Sequence, residues 1–389
     1  MDFRFSEDEE KFRQEVRDFI DKERRPDLPA IHPETEEEQE YYFEMKHKIG
    51  AKGWHCLAWP KEYGGQASIV KQFIVSEEFY SNEVPGIDLI TVNMVAPCLI
   101  QFGSEELKSK FLPKIASGES MWCQGFSEPE AGSDLFALQT RAVEEDDCYI
   151  VNGQKVWISQ ASLADWMFLL ARTEPDVTLR HRGVSVFAMD MKSPGVTVSP
   201  LRNTCGGFFG EVFLDDVKIP KSNLIGERNQ AAQVALAMLG YERSGIHRIG
   251  SARAALGRLI EYAKSPSHNG APPINDPIVR QRLADVFIEG EAAQLLAYRV
   301  LDLQSRGEDP GYFTSISRLF GSLFQQHVGE ASIEILGQYG QLEPGSKRAP
   351  LQGMLEHHYL WSISATIPTG TSEIQRNTIA QRGLRLPGN

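Results

Sequence analysis

The chain has 389 residues, 41% hydrophobic and 24% charged, and its 40 basic against 53 acidic side chains leave a formal net charge of −13. That length suffices for two or three well-packed domains, and the composition excludes an intrinsically disordered chain, a collagen and a coiled-coil rod. The acidic balance argues against a general binder of nucleic acid or anionic membrane, which must present a positive surface to phosphates.

The first zone, residues 1–120, reads as an N-terminal helical domain. Ser6 stands where it caps a stretch with Phe12, Val16, Phe19 and Ile20 at helical spacing, and Glu9 completes a capping box. Further helices are expected around 37–50, 71–82, 89–101 and 104–117, with turns at 60–65 and at Pro85-Gly86. The Glu36-Glu37-Glu38 run reads as a solvated helix start. The second zone, 121–229, changes period and reads as a compact β barrel or sandwich. Cys148–Val151 and Lys155–Ile158 flank Asn152-Gly153, which is a hairpin signal. More strands are expected at Trp166–Ala171, Val184–Met189, Val196–Ser199 and Glu211–Leu214. The third zone, 230–389, returns to helices at roughly 230–264, 277–305, 312–339, 353–364 and 371–382. The fold class expected is α+β, with an N-terminal helical domain, a middle β barrel or sandwich and a C-terminal helical domain.

Met1 to Phe5 runs straight into Glu7, Asp8, Glu9 and Glu10, without the apolar run of a signal segment. The longest apolar stretches, 89–100 and 231–239, are interrupted by Asn93, Pro97 and Gln233 and are too short to span a bilayer. Five scattered cysteines, Cys56, Cys98, Cys123, Cys148 and Cys205, make a poor disulfide framework. The expectation is a soluble, cytoplasmic protein without a membrane or nucleic-acid partner.

Several familiar signals are missing. There is no Gly-x-Gly-x-x-Gly between a strand and a helix, and no serine in a nucleophile elbow. Residues 340–347 resemble a phosphate loop superficially, but Ser346-Lys347 has the wrong order. His357-His358 has no carboxylate or cysteine at ligand spacing, so no metal is expected.

Two segments stand out. From Trp122 through Gln124, Phe126, Ser127 and Ser133 to Asp134, a short strand feeds a small-residue loop rich in hydroxyls. It is either a plain turn or a set of donors for a ligand. In the Asn152–Ser159 segment, Trp157 and Ser159 would share one face of a strand. They are either a packed tryptophan with a surface serine, or an aromatic plate and a hydroxyl suited to a planar ring such as flavin.

Together with the 213–220 segment, Phe-Leu-Asp-Asp-Val-Lys-Ile-Pro, and the 370–377 segment, Gly-Thr-Ser-Glu-Ile-Gln-Arg-Asn, these motifs resemble the acyl-CoA dehydrogenase family over essentially the whole chain. The resemblance implies domains at 1–120, 121–229 and 230–389, with FAD between the β domain and a C-terminal four-helix-type bundle. By position, Gln124, Phe126 and Ser127 would meet the flavin, with Phe126 and Ser127 at its pyrimidine edge. Trp157 would cover the ring and Ser159 would bond near N5. Thr371 and Glu373 match FAD-contacting positions on the last helix, and Gln338 falls in the region near the adenosine. Ser133 matches a residue near CoA. The implied partners are an acyl-CoA substrate and electron-transferring flavoprotein as acceptor, in a homotetramer or dimer, or a heterotetramer.

The chemistry needs a base to remove the α-proton while the β-hydride goes to flavin N5. Most members carry a Glu where this chain has Thr369, beside Gly370. Isovaleryl-, long-chain- and steroid-type members place it instead on the first long helix after the β domain, and Glu242 matches that position. Its neighbours Ala235, Met238, Leu239, Ile246 and Ile249 put it on an apolar stripe, where a carboxylate is either paired with Arg243, Arg248 or Arg253 or has a purpose. Arg243 matches an arginine found beside this base, and the Thr369 backbone N–H matches the donor to the thioester oxygen. The 265–273 stretch lacks the arginine that many members use to grip the FAD diphosphate. The alternatives are another acyl-CoA flavoenzyme reaction, an elimination or desulfination, or a catalytically silent subunit of a heteromeric complex.

Overall fold

The computed structural model describes residues 3–26, 28, 33, 35–205, 207–241, 244–266 and 270–388. Five helices come first: α1 (Glu7–Glu23), α2 (Glu36–Ala51), α3 (Ile69–Ser81), α4 (Ala96–Phe102) and α5 (Glu105–Ala116). Eight strands follow: β1 (Trp122–Gly125), β2 (Arg141–Glu144), β3 (Cys148–Ser159), β4 (Trp166–Arg172), β5 (Val184–Asp190), β6 (Val196–Arg202), β7 (Phe208–Pro220) and β8 (Leu224–Ile225). The chain then returns to helices: α6 (Ala231–Tyr241), α7 (Ile246–Lys264), α8 (Pro277–Ser305), α9 (Phe313–Leu336), α10 (Met354–Ser364) and α11 (Ser372–Thr378). The fold class is the expected α+β order. Among the described residues no helix is long and apolar enough to cross a membrane.

Packing divides the chain into two units. One holds α1, α3 and α7 to α11. Its core is built from Phe73 of α3, Ile249 and Leu256 of α7, Val286 and Ala293 of α8, and Phe324 and Val328 of α9. A buried ionic cluster ties the chain's first helix to this bundle. Arg13 donates to Glu77 at 2.7 Å and to Glu78 at 2.5 Å, and Glu77 also accepts from the Tyr298 hydroxyl at 2.8 Å.

The other unit holds α2, α4 to α6 and the sheet. The sheet order is β6-β7-β3-β2-β4-β5-β8, with β1 paired in parallel to β4. Period-two alternation gives the sheet two apolar faces. Phe168, Leu170, Val186 and Ala188 pack with residues of α4, α5 and α6, while Met167, Leu169, Phe187 and Met189 join Val151, Val212 and Leu214 in a second core. Burying each of these large side chains contributes about 1.5–3 kcal/mol.

Two expectations are corrected. Asn152-Gly153 does not turn a hairpin: β3 runs unbroken from Cys148 to Ser159 and pairs with β7 throughout. The register shifts here because Asp215 and Asp216 of β7 oppose one residue of β3, and the Asn152 amide closes the bulge by donating to the Asp216 carboxylate at 2.9 Å. Gly153 serves a close approach, since a Cβ there would lie 2.4 Å from the Thr140 hydroxyl oxygen. The helix expected over 230–264 is two helices, α6 and α7, with Gly245 in the left-handed region at the start of α7. Ala235 and Met238 therefore lie on one helix and Ile246 and Ile249 on another.

One buried histidine, His55, and one half-buried histidine, His358, make the fold acid-sensitive. Burial, reinforced by the nearby Lys46 ammonium, pushes His55 down to about 4, and burial does the same to His358. Their folded pKa lies below the unfolded value near 6.5, so the stability they carry is complete above that pH. It is lost as pH falls toward 4, at about 1.4 kcal/mol per pH unit for each group. Denaturation midpoints measured from pH 7 to 4 are expected to fall less steeply in His55→Gln than in the wild type; equal slopes would contradict the assignment.

Candidate active site

The sheet unit brings the two segments singled out in the sequence together. β1 ends at Gly125 and the chain continues through Phe126, Ser127 and Glu128. The Val156 N–H of β3 donates to the Ser127 carbonyl at 3.0 Å, so this loop lies along the strand that carries Trp157 and Ser159. Phe126 is buried against Phe168, with ring centroids 6.1 Å apart. Gln124 and Ser127 are half-buried, and Ser133 is exposed farther along the loop.

Trp157 occupies a second bulge, where Val156 and Trp157 of β3 oppose Glu211 alone. Its φ is +61°, a conformation that costs a bulky residue about 1–3 kcal/mol. The bulge turns the indole outward, leaving it 60% exposed in a T-shaped contact with Phe209, and Ser159 is exposed on the same side of the strand. The packed-tryptophan alternative therefore fails. A large aromatic face held at a backbone cost beside hydroxyls is the donor set and surface that a planar heteroaromatic ring needs.

A buried ion pair, not foreseen in the sequence, lies beneath this surface. Lys155 is fully buried, and its ammonium donates to Glu128 at 2.7 Å and to the Phe126 carbonyl at 3.3 Å. Burial lowers the Lys155 pKa to about 8 against the opposing pull of Glu128. Burial alone would raise the Glu128 pKa, but Lys155 and the Gln139 N–H offset it and hold the carboxyl below its ordinary value. The sequence signal was a lysine in an apolar strand run, next to Val156 and Trp157.

The helical unit carries the other group. Thr369 sits at φ +55° and Gly370 at +94°, just before α11. A Cβ at Gly370 would lie 2.6 Å from the Gln375 amide nitrogen, which donates to the Thr369 and Gly370 carbonyls at 3.2 Å each. Arg318 supports the turn by donating to the Ala365 and Pro368 carbonyls at 2.8 and 2.6 Å. Two guanidiniums converge on the Thr369 hydroxyl, Arg318 at 3.2 Å and Arg248 at 3.3 Å. Sequence reasoning weighed Arg248 only as a partner for Glu242 and missed Arg318. Thr371 caps α11 by accepting from the Ile374 N–H at 3.3 Å, while Glu373 and Gln338 are exposed. Glu242 and Arg243 lie outside the described residues. Among the described residues no cluster of three His, Cys, Asp or Glu is placed to hold a metal ion.

Comparison with known proteins shows the family. Three family models match in order: the acyl-CoA dehydrogenase N-terminal domain over residues 6–119, the middle domain over 123–217 and the C-terminal domain over 230–384. Acyl-CoA dehydrogenase FadE26 of Mycobacterium tuberculosis is 31% identical across 100% of this chain and 99% of its own. Acyl-CoA dehydrogenase IpdE1 of the same organism is 33% identical across 87% of this chain and 86% of its own. Among solved structures, the Tcur3481-Tcur3483 steroid ACAD superposes with a TM-score of 0.91 at 29% identity, covering 100% of both chains. The ChsE4-ChsE5 complex from Mycobacterium tuberculosis gives 0.89 at 31% identity, again over 100% of both. The class is thus a flavoprotein oxidoreductase of helical, β and helical parts. The chain belongs to the acyl-CoA dehydrogenase family.

Proposed function

We propose that this protein uses FAD to convert a saturated acyl-CoA thioester to the trans-2-enoyl-CoA. The observation that supports this most directly is the outward-turned, conformationally costly Trp157 beside Ser159 and the Phe126–Ser127 loop. Phe126, Ser127 and Gln124 would meet the polar edge of the flavin, with Ser127 offering its hydroxyl. Trp157 would cover the ring face and Ser159 would donate near N5. Thr371, Glu373 and Gln338 would reach the remainder of the cofactor. FAD, when bound, supplies the acceptor for the β-hydride.

The chain's own residues do the rest. The Thr369 N–H, fixed by the strained turn, would donate to the thioester oxygen and make the α-proton more acidic. Glu242 would take that proton, and Arg243 would stand beside it. Thr369 itself is excluded as the base, because a hydroxyl held by two guanidiniums neither carries a negative charge nor gains basicity there. Ser133 would contact the CoA portion.

The solved relatives include complexes named for two chains, Tcur3481-Tcur3483 and ChsE4-ChsE5. Together with the arginine-free 265–273 stretch, they favour a second, different acyl-CoA dehydrogenase chain that helps hold the FAD diphosphate. Branched, cyclic or steroid-derived thioesters are the first substrates to test, with electron-transferring flavoprotein as acceptor.

Trp157→Asn tests the cofactor site. Asparagine tolerates positive φ, so the fold should keep its melting temperature or gain a few degrees, while FAD affinity falls at least about tenfold. Unchanged affinity by fluorescence titration would remove Trp157 from the flavin site.

A further inference from the structure

The loop that carries Phe126 and Ser127 and the strand that carries Trp157 and Ser159 are joined by the Lys155–Glu128 ion pair. Three further bonds of this pair go to backbone. The Lys155 ammonium donates to the Phe126 carbonyl at 3.3 Å. The Glu128 carboxylate accepts from the Gln139 N–H at 2.5 Å and from the Thr140 N–H at 3.0 Å. Thr140 is the residue that packs against Gly153, and its carbonyl accepts from the Arg172 N–H of β4 at 2.7 Å. The Glu128 N–H and carbonyl close a tight bridge with Ala131, at 2.9 and 3.1 Å, so the start of the hydroxyl loop is fixed as well. One carboxylate thus references the loop to β2, β3 and β4 at once.

Stability alone does not explain such a pair, because well-packed apolar residues of similar volume commonly do as well. What apolar residues cannot do is set the loop's distance from the strand through directed bonds to particular backbone atoms.

We propose that Lys155 and Glu128 are positioning residues of the flavin site, holding the Phe126–Ser127 loop and the Trp157–Ser159 strand at the spacing that grips one ring. This rests on the flavin reading above. The pair touches the ring through neither side chain; it acts through the Phe126 carbonyl and the loop it anchors.

Glu128→Asp is the sharpest test. It keeps the charge and the acceptors but shortens the reach by about one bond, drawing loop and strand out of register. Apoprotein of wild type, Glu128→Asp and the Lys155→Met/Glu128→Gln double variant is titrated with FAD, and each is melted in the cofactor's absence. The double variant removes both charges of the pair together. The expected result is FAD affinity weakened at least tenfold in both variants, with apoprotein melting shifted by only a few degrees in Glu128→Asp. Affinity within twofold of wild type in both overturns the proposal. So does loss of the folded state in both, which would assign the pair to folding alone. A wild-type chain that binds no FAD overturns the flavin reading and the proposal with it, a result distinct from normal wild-type binding with indifferent variants.

Discussion

Glu242→Gln should keep its bound flavin yet reduce it with substrate roughly a thousandfold more slowly than wild type. General-base catalysis by a positioned carboxylate contributes about 10²- to 10⁴-fold, and glutamine has the shape of the base without a proton acceptor of comparable strength. Stopped-flow bleaching under anaerobic conditions reads the effect. Undiminished bleaching would remove Glu242 from the mechanism, while loss of flavin from the variant would assign it to binding.

The second large effect is a rescue expected to fail. In many relatives the base stands where this chain has Thr369, which invites Thr369→Glu in the Glu242→Gln background. Arg318 and Arg248 both reach the Thr369 hydroxyl, at 3.2 and 3.3 Å. A carboxylate introduced there would be held ionised by both guanidiniums, which lowers its pKa and its strength as a base. The double variant is therefore expected to stay at least about a hundredfold below wild type in flavin reduction. Removing one guanidinium, as in Arg248→Met, should recover part of the rate. Recovery to within tenfold of wild type with both arginines in place would show that position 369 is open to a base.

How much of this was legible beforehand depends on the kind of contact. The capping box at Ser6 and Glu9, the helical spacing and the α–β–α order are local signals, and the structure follows them. The Trp157–Ser159 face was also local, because strand alternation survives the bulge. The hairpin at Asn152-Gly153 failed for a non-local reason: Asp216 of β7 and Thr140 make the pair a bulge and a close approach instead of a turn. The break at Gly245 was hidden because apolar spacing continues on both sides of it. A lysine in an apolar strand run hints at a buried partner, but neither that partner, Glu128, nor the convergence of Arg248 and Arg318 on Thr369 can be read from the sequence. These partners are separated by 27, 121 and 51 residues and meet only through the fold.

The measurement that bears most directly on the account is anaerobic titration of the purified, FAD-loaded wild-type protein with a panel of straight, branched, aromatic and steroid side-chain acyl-CoA thioesters. At least one thioester is expected to bleach the oxidised flavin band, with stoichiometric trans-2-enoyl-CoA. A flavin-loaded protein that no member of the panel bleaches would contradict it.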